Sequence, residues 1–155
     1  MRHSFARWLV LALVVATLSC SSEGDTYKLT PTPDPEGPFG VYVPKDLDDV
    51  CAELGRMLPS KLVRKIRTGT EEDMTQYHLN LGLWMRNNWG LWKGSRLSEY
   101  FNRQGIVHPD DMSAIILCSF WRHLNSKPVD LEGQVFIYKT YWDLMRGSRD
   151  PAREI

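Results

Sequence analysis

Residues 108–124 read HPDDMSAIILCSFWRHL, and this stretch decides the fold class. Pro109 suits the first position of a helix, where its missing N–H would be unpaired in any case. Asp110 and Asp111 then stand where the helix dipole is positive. The body that follows, 112–124, is apolar around most of its circumference, which predicts a helix buried on nearly every side. Asn125-Ser126-Lys127-Pro128 ends it, because proline cannot continue a helix. A helix of this kind needs other helices around it.

The flanking segments supply them. Downstream, Asp130 caps a last helix with Leu131, Val135, Tyr138, Trp142 and Met145 on one stripe. Upstream, 95–103 reads as a helix capped by Ser95, with Leu97, Tyr100 and Phe101 apolar and Gly105 as its stop. Thr70-Glu71-Glu72-Asp73 resembles a capping box and opens a helix to about residue 88. Met74, Tyr77, His78, Leu81, Trp84 and Met85 share one face of it, and Leu79 and Leu83 lie on another, so packing on two sides is expected. Gly82 allows close approach by a neighbour, at a propensity cost of about 1 kcal/mol. Leu47, Val50, Cys51, Leu54 and Met57 place a helix at 46–58 between Pro44 and Pro59, and Ser60 caps a short one at 60–66. Only 41–43 (VYV) reads as strand. The expectation is all-α: a bundle of five or six helices in one domain, 41–148, with 149–155 as a frayed tail.

Between two of these helices lies NNWGLWKGSRL, residues 87–97. Gly90 stands where a helix end needs a left-handed residue, and Gly94 precedes the Ser95 cap, so the stretch is a corner by local chemistry. Trp89 and Trp92 would clamp it. The same residues have a second use, since Trp and Arg recur at binding hot spots. Arg86, Asn87, Asn88, Trp89, Trp92, Lys93 and Arg96 are therefore candidate partner-binding residues, for a protein, an anionic glycan or a carboxylate-bearing wall peptide.

The start of the chain speaks to location. Arg2 and Arg7 flank an apolar run at 8–18, WLVLALVVATL. Eleven helical residues span roughly 16 Å, about half a bilayer core, so 1–19 reads as an export signal. Thr17-Leu18-Ser19-Cys20 resembles the lipobox of bacterial lipoproteins, with Thr17 where that family usually has Leu. The resemblance implies acylation of Cys20 and cleavage before it; the alternative is a plain secreted protein. In a Gram-negative cell, Ser21 resembles outer-membrane sorting, with the body facing the periplasm. Residues 20–40 are rich in Ser, Thr, Pro, Gly and acids, which predicts a flexible, extended spacer of up to roughly 60 Å.

Two cysteines remain, Cys51 and Cys118, either paired in an oxidising compartment or buried singly as small apolar side chains. The 155-residue chain holds 19 Lys and Arg and 19 Asp and Glu; the leader takes two cations, leaving 17 basic against 19 acidic. That balance gives no electrostatic reason to expect nucleic acid. No nucleotide, zinc or serine-hydrolase motif is present, and no cofactor or metal is expected. His108 with Asp110 and Asp111 is the one acid–base grouping, and helix-start chemistry explains it equally.

Arg86-Asn87-Asn88-Trp89 through Leu97, Tyr100-Phe101, and Gly105-Ile106 through Leu117 together resemble a bacterial domain family of unknown function, over about 44–142. The resemblance implies a shared helical fold and no activity. The expected role is a lipid-anchored envelope protein whose helical body binds a partner protein, in the manner of an immunity protein among the options. The alternatives are an envelope or cell-wall hydrolase and a structural envelope lipoprotein.

Overall fold

The computed structural model describes residues 27–147; the leader, Cys20 and the tail at 149–155 lie outside the described residues. Asp46 starts the first helix, α1 (Leu47–Met57), by accepting the N–H of Asp49 at 2.9 Å. Five further α-helices follow: α2 (Ser60–Thr68), α3 (Leu83–Asn88), α4 (Arg96–Arg103), α5 (Pro109–Leu124) and α6 (Leu131–Gly147). Among the described residues no strand forms, and VYV contributes only an isolated bridge between Val41 and Pro33. The all-α expectation holds.

α5 is the centre. Its Met112, Ile115, Ile116, Leu117 and Phe120 have almost no exposed surface, and it touches each of the other five helices. Burial of each such side chain contributes about 1.5–3 kcal/mol. α6 is the outlier: of its 17 residues only Gln134 and Val135 are buried. It is fastened by polar bonds, Gln134 Nε2 to Ser119 Oγ (3.2 Å) and Trp142 Nε1 to Asp111 Oδ2 (2.7 Å).

Two expectations change. The helix expected across 70–88 is a composite of a 3₁₀ turn (Glu72–Tyr77), a wide π turn (His78–Gly82) and α3. The wide turn aligns Met74, Tyr77, Leu81, Met85 and Trp89 on the core, and the expected second packed face does not form: Leu79 and Leu83 are exposed.

The spacer is the second change. From Tyr27 the Pro-rich segment lies along the body. Thr30 N–H donates to the Met57 carbonyl (3.0 Å), Tyr42 N–H to the Thr32 carbonyl (2.8 Å), and Thr32 donates its N–H and hydroxyl to the two Glu53 oxygens, each at 2.8 Å. Burial pushes the Glu53 carboxyl up, but hydrogen bonds from Arg56 and Thr32 outweigh it and hold it below the usual carboxylate range. The composition argument counts aliphatics and misses this: Tyr27, Leu29, Phe39 and Val41 pack against the core. Prolines also lower the entropy the segment loses when it orders.

Of the two alternatives left open for Cys51 and Cys118, the structure shows the unpaired one: both are free thiols. Cys51 faces the core from α1, where burial pushes its thiol up to about 11. Cys118 is half-buried on α5, and burial first, then the Glu71 charge, raises its thiol too. Chain with Cys20→Ser, unfolded without reductant, should therefore yield two titratable thiols by aromatic-disulfide assay. A yield of none would reinstate the bridge.

Candidate functional site

The corner is built by two helix stops of one kind. Leu91 N–H reaches back to the Arg86 carbonyl (3.2 Å) around Gly90 at φ +63°, and Ile106 N–H reaches the Phe101 carbonyl (3.0 Å) around Gly105 at φ +82°. This is the Schellman closure, which satisfies carbonyls at a helix end. Ser95 Oγ then caps α4 by accepting the Ser98 N–H (3.2 Å).

This geometry divides the seven candidate residues. Trp89 is fully buried, edge-on to Trp84 with ring centres 5.7 Å apart. Arg86 is buried as well, and Asn88 is half-buried with its amide on the Trp84 carbonyl at 2.8 Å. Arg96 is exposed but engaged: its Nε donates to the Val43 carbonyl (2.6 Å) and its guanidinium lies over the Tyr42 ring at 4.9 Å. Only Asn87, Trp92 and Lys93 face solvent without such a role, and Trp92 also meets His108 edge-on. A patch combining Trp89, Trp92 and Arg86 on one face does not exist, because Trp89 and Arg86 are core.

Gly90 shows how tight the corner is. A Cβ there would run into the Phe39 ring, whereas at Gly94, φ +74°, it would meet open space. Gly90→Ala should cost about 2–4 kcal/mol in urea unfolding, from the left-handed backbone and overpacking together, and Gly94→Ala about 1 kcal/mol. Equal costs would show that Phe39 does not press on the corner.

Arg86 leads to a second cluster. Its Nη1 donates to Ser113 Oγ (2.7 Å) and to the His78 carbonyl (3.4 Å), and its Nε lies 3.1 Å from Asp110 Oδ1. That last N–H is not aligned for a hydrogen bond, so the contact is an ion pair by distance alone. His78 Nε2 approaches the same Asp110 oxygen at 3.4 Å. A Cβ at Gly82 would stand 3.1 Å from Arg86 Nη1, so the glycine inside the π turn makes room for the guanidinium. Ser113 was not singled out from sequence; its place one turn after Asp110 is the signal that would have found it.

His78, Asp110 and Asp111 line a groove of about 380 Å³ with Met74, Cys118 and Tyr138. Its polar groups are mutually engaged: Asp110 with Arg86, Asp111 with Trp142, and Glu71 on the rim with Arg122 at 2.6 Å. Burial, with smaller contributions from Cys118 and Asp111, pushes the Tyr138 phenol up to about 12. Cys118, also raised, stays a thiol rather than a nucleophilic thiolate at neutral pH. His108 caps α5: its Nδ1 accepts the Asp110 N–H at 3.3 Å and lies 3.5 Å from Asp110 Oδ2. Among the described residues, no three His, Cys, Asp or Glu side chains converge as metal ligands.

The family model of a domain of unknown function, DUF6794, matches residues 43–124. The chain belongs to this family. The DUF6794 match holds α1 to α5, the corner and the Arg86 cluster, and it stops at Leu124, short of the 142 expected from the resemblance. α6 and the strap before Val43 lie outside it. Neither a curated protein nor a solved structure matches the chain.

The Arg86 cluster is testable as a structural lock. Arg86→Met and Asp110→Asn should each destabilise, and the double variant should cost less than their sum by about 1–3 kcal/mol in denaturant unfolding. Strict additivity would mean that the 3.1 Å approach carries no energy.

Proposed function

We propose that this DUF6794 protein is a lipid-anchored envelope protein whose helical body binds a partner protein, and that the docking face is α6 with its adjoining groove rather than the corner. One observation carries the reading. α6 leaves Phe136, Ile137 and Tyr141 exposed at 70%, 65% and 48% on successive turns, beyond the matched family region. Apolar side chains grouped in this way mark interaction surfaces more often than scattered ones do. The groove beside α6, walled by Met74, Leu117 and Tyr138, offers a socket for an apolar anchor residue of the partner.

The acid–base residues have a structural account of their own: His108 Nδ1 caps α5 at the Asp110 N–H, and the Asp110 carboxylate faces Arg86, His78 and His108 together. The anchor belongs to the reading through Cys20, and no helix among the described residues is long and apolar enough to cross a membrane.

A photo-crosslinking residue at Ile137 tests the docking face in intact membranes, with Ala52 on the exposed side of α1 as comparison. The expected result is a discrete protein adduct from 137 and none from 52. No adduct at 137, or the same adducts at both, would reject α6 as the docking face. A retained leader or unmodified Cys20 by intact mass would reject the anchor.

A further inference from the structure

We propose that the exposed basic face of α2 docks on the anionic lipid headgroups of the membrane that carries the anchor. Residues 54–70 hold Arg56, Lys61, Arg64, Lys65 and Arg67 and no acid, in a chain that is formally neutral. α2 buries Leu62 and Ile66 and exposes Lys61, Arg64, Lys65 and Arg67. Among the described residues, Arg64, Lys65 and Arg67 have no carboxylate within ion-pair distance. The acids nearest in sequence on either side are already paired, Glu53 with Arg56 at 2.7 Å and Glu71 with Arg122 at 2.6 Å.

Chain length says what lies against this face. Thr30 is bonded by its N–H and hydroxyl to the carbonyl of Met57, the last residue of α1 and three before α2 begins. The strap therefore passes beside the start of α2 three residues after Tyr27, the first described residue. Only six residues lie between Cys20 and Tyr27, a span of at most about 25 Å fully extended. A body tethered that closely, beside that helix, is held within reach of the bilayer. The cations beside the tether meet the headgroup phosphates, and Lys28, also exposed, adds to them. This placement rests on the acyl anchor proposed above; the attraction itself does not. Each Lys or Arg near an anionic surface raises partition by about fivefold.

The test uses the full chain with Cys20→Ser, so that no acyl chain contributes. It reads partition onto phosphatidylcholine vesicles with and without phosphatidylglycerol. Retention on the neutral vesicles reports the leader, and the gain on adding phosphatidylglycerol reports the basic face. That gain should vanish at high salt. It should fall by about 100-fold in Arg64→Glu/Lys65→Glu/Arg67→Glu. It should survive in Lys45→Glu/Lys93→Glu/Arg103→Glu, which changes net charge identically. The corresponding Gln variants serve if the Glu set unfolds. No gain in the parent chain, or equal loss in both triple variants, overturns the proposal. So does equal or tighter binding to a short DNA duplex, which would make the face a nucleic-acid site. Unmodified Cys20 in the wild-type chain would remove the anchor and leave the vesicle result standing.

Discussion

A single guanidinium taken almost wholly out of water organises the centre of this protein. Arg86 is 4% exposed and reaches Ser113 on α5, the His78 carbonyl in the π turn, and the Asp110 carboxylate on the first turn of α5. Removing an arginine from solvent costs several kcal/mol unless its hydrogens find partners and its charge a counter-ion. That requirement constrains the neighbours. The π turn leaves room for it, Gly82 keeps a Cβ from crowding Nη1 at 3.1 Å, and α5 presents Ser113 and Asp110 to it.

The same constraint explains which parts of the fold were legible in the sequence. α1, α4 and α5 were readable to within a residue or two because each is announced by local chemistry: Asp46, Ser95 and Pro109 at the starts, Gly105 and Asn125 at the ends. The corner was readable for the same reason, since Gly90 and Gly94 both take positive φ. The π turn was not: it lies beside the contact between Arg86 and Ser113, 27 residues apart, which no local signal announces. Helix periodicity therefore put Leu79 and Leu83 on a packed face that does not exist. The candidate site suffered similarly. Trp89 and Arg86 have the composition of a hot spot, but composition carries no sign of exposure, and both turned inward.

The strap shows a different limit. Few aliphatics and many prolines describe a segment that cannot form its own core, which is true of 27–42. They do not describe a segment that borrows one. Glu53 sits on α1 with both oxygens turned toward Thr32, and the tip of the Phe39 ring fills the space a side chain at Gly90 would need. The strap thus joins α1 to the corner through one carboxylate and one ring. Any force transmitted along the chain from its start reaches the body at the α1–α2 junction.

Net charge is a poor guide to what such a body attracts. With 19 basic and 19 acidic side chains overall, the five cations at 54–70 leave the remaining residues with an excess of five acids. At physiological salt a charge is felt over about 8 Å, so a partner at α2 senses that helix and little of the compensating acid elsewhere. Formal neutrality argued against a nucleic-acid role for the chain as a whole, yet it does not bear on any surface smaller than the chain. The proposed docking on headgroups would ask of α2 only a cationic face, whereas a duplex would also ask for spaced phosphate and base-edge contacts.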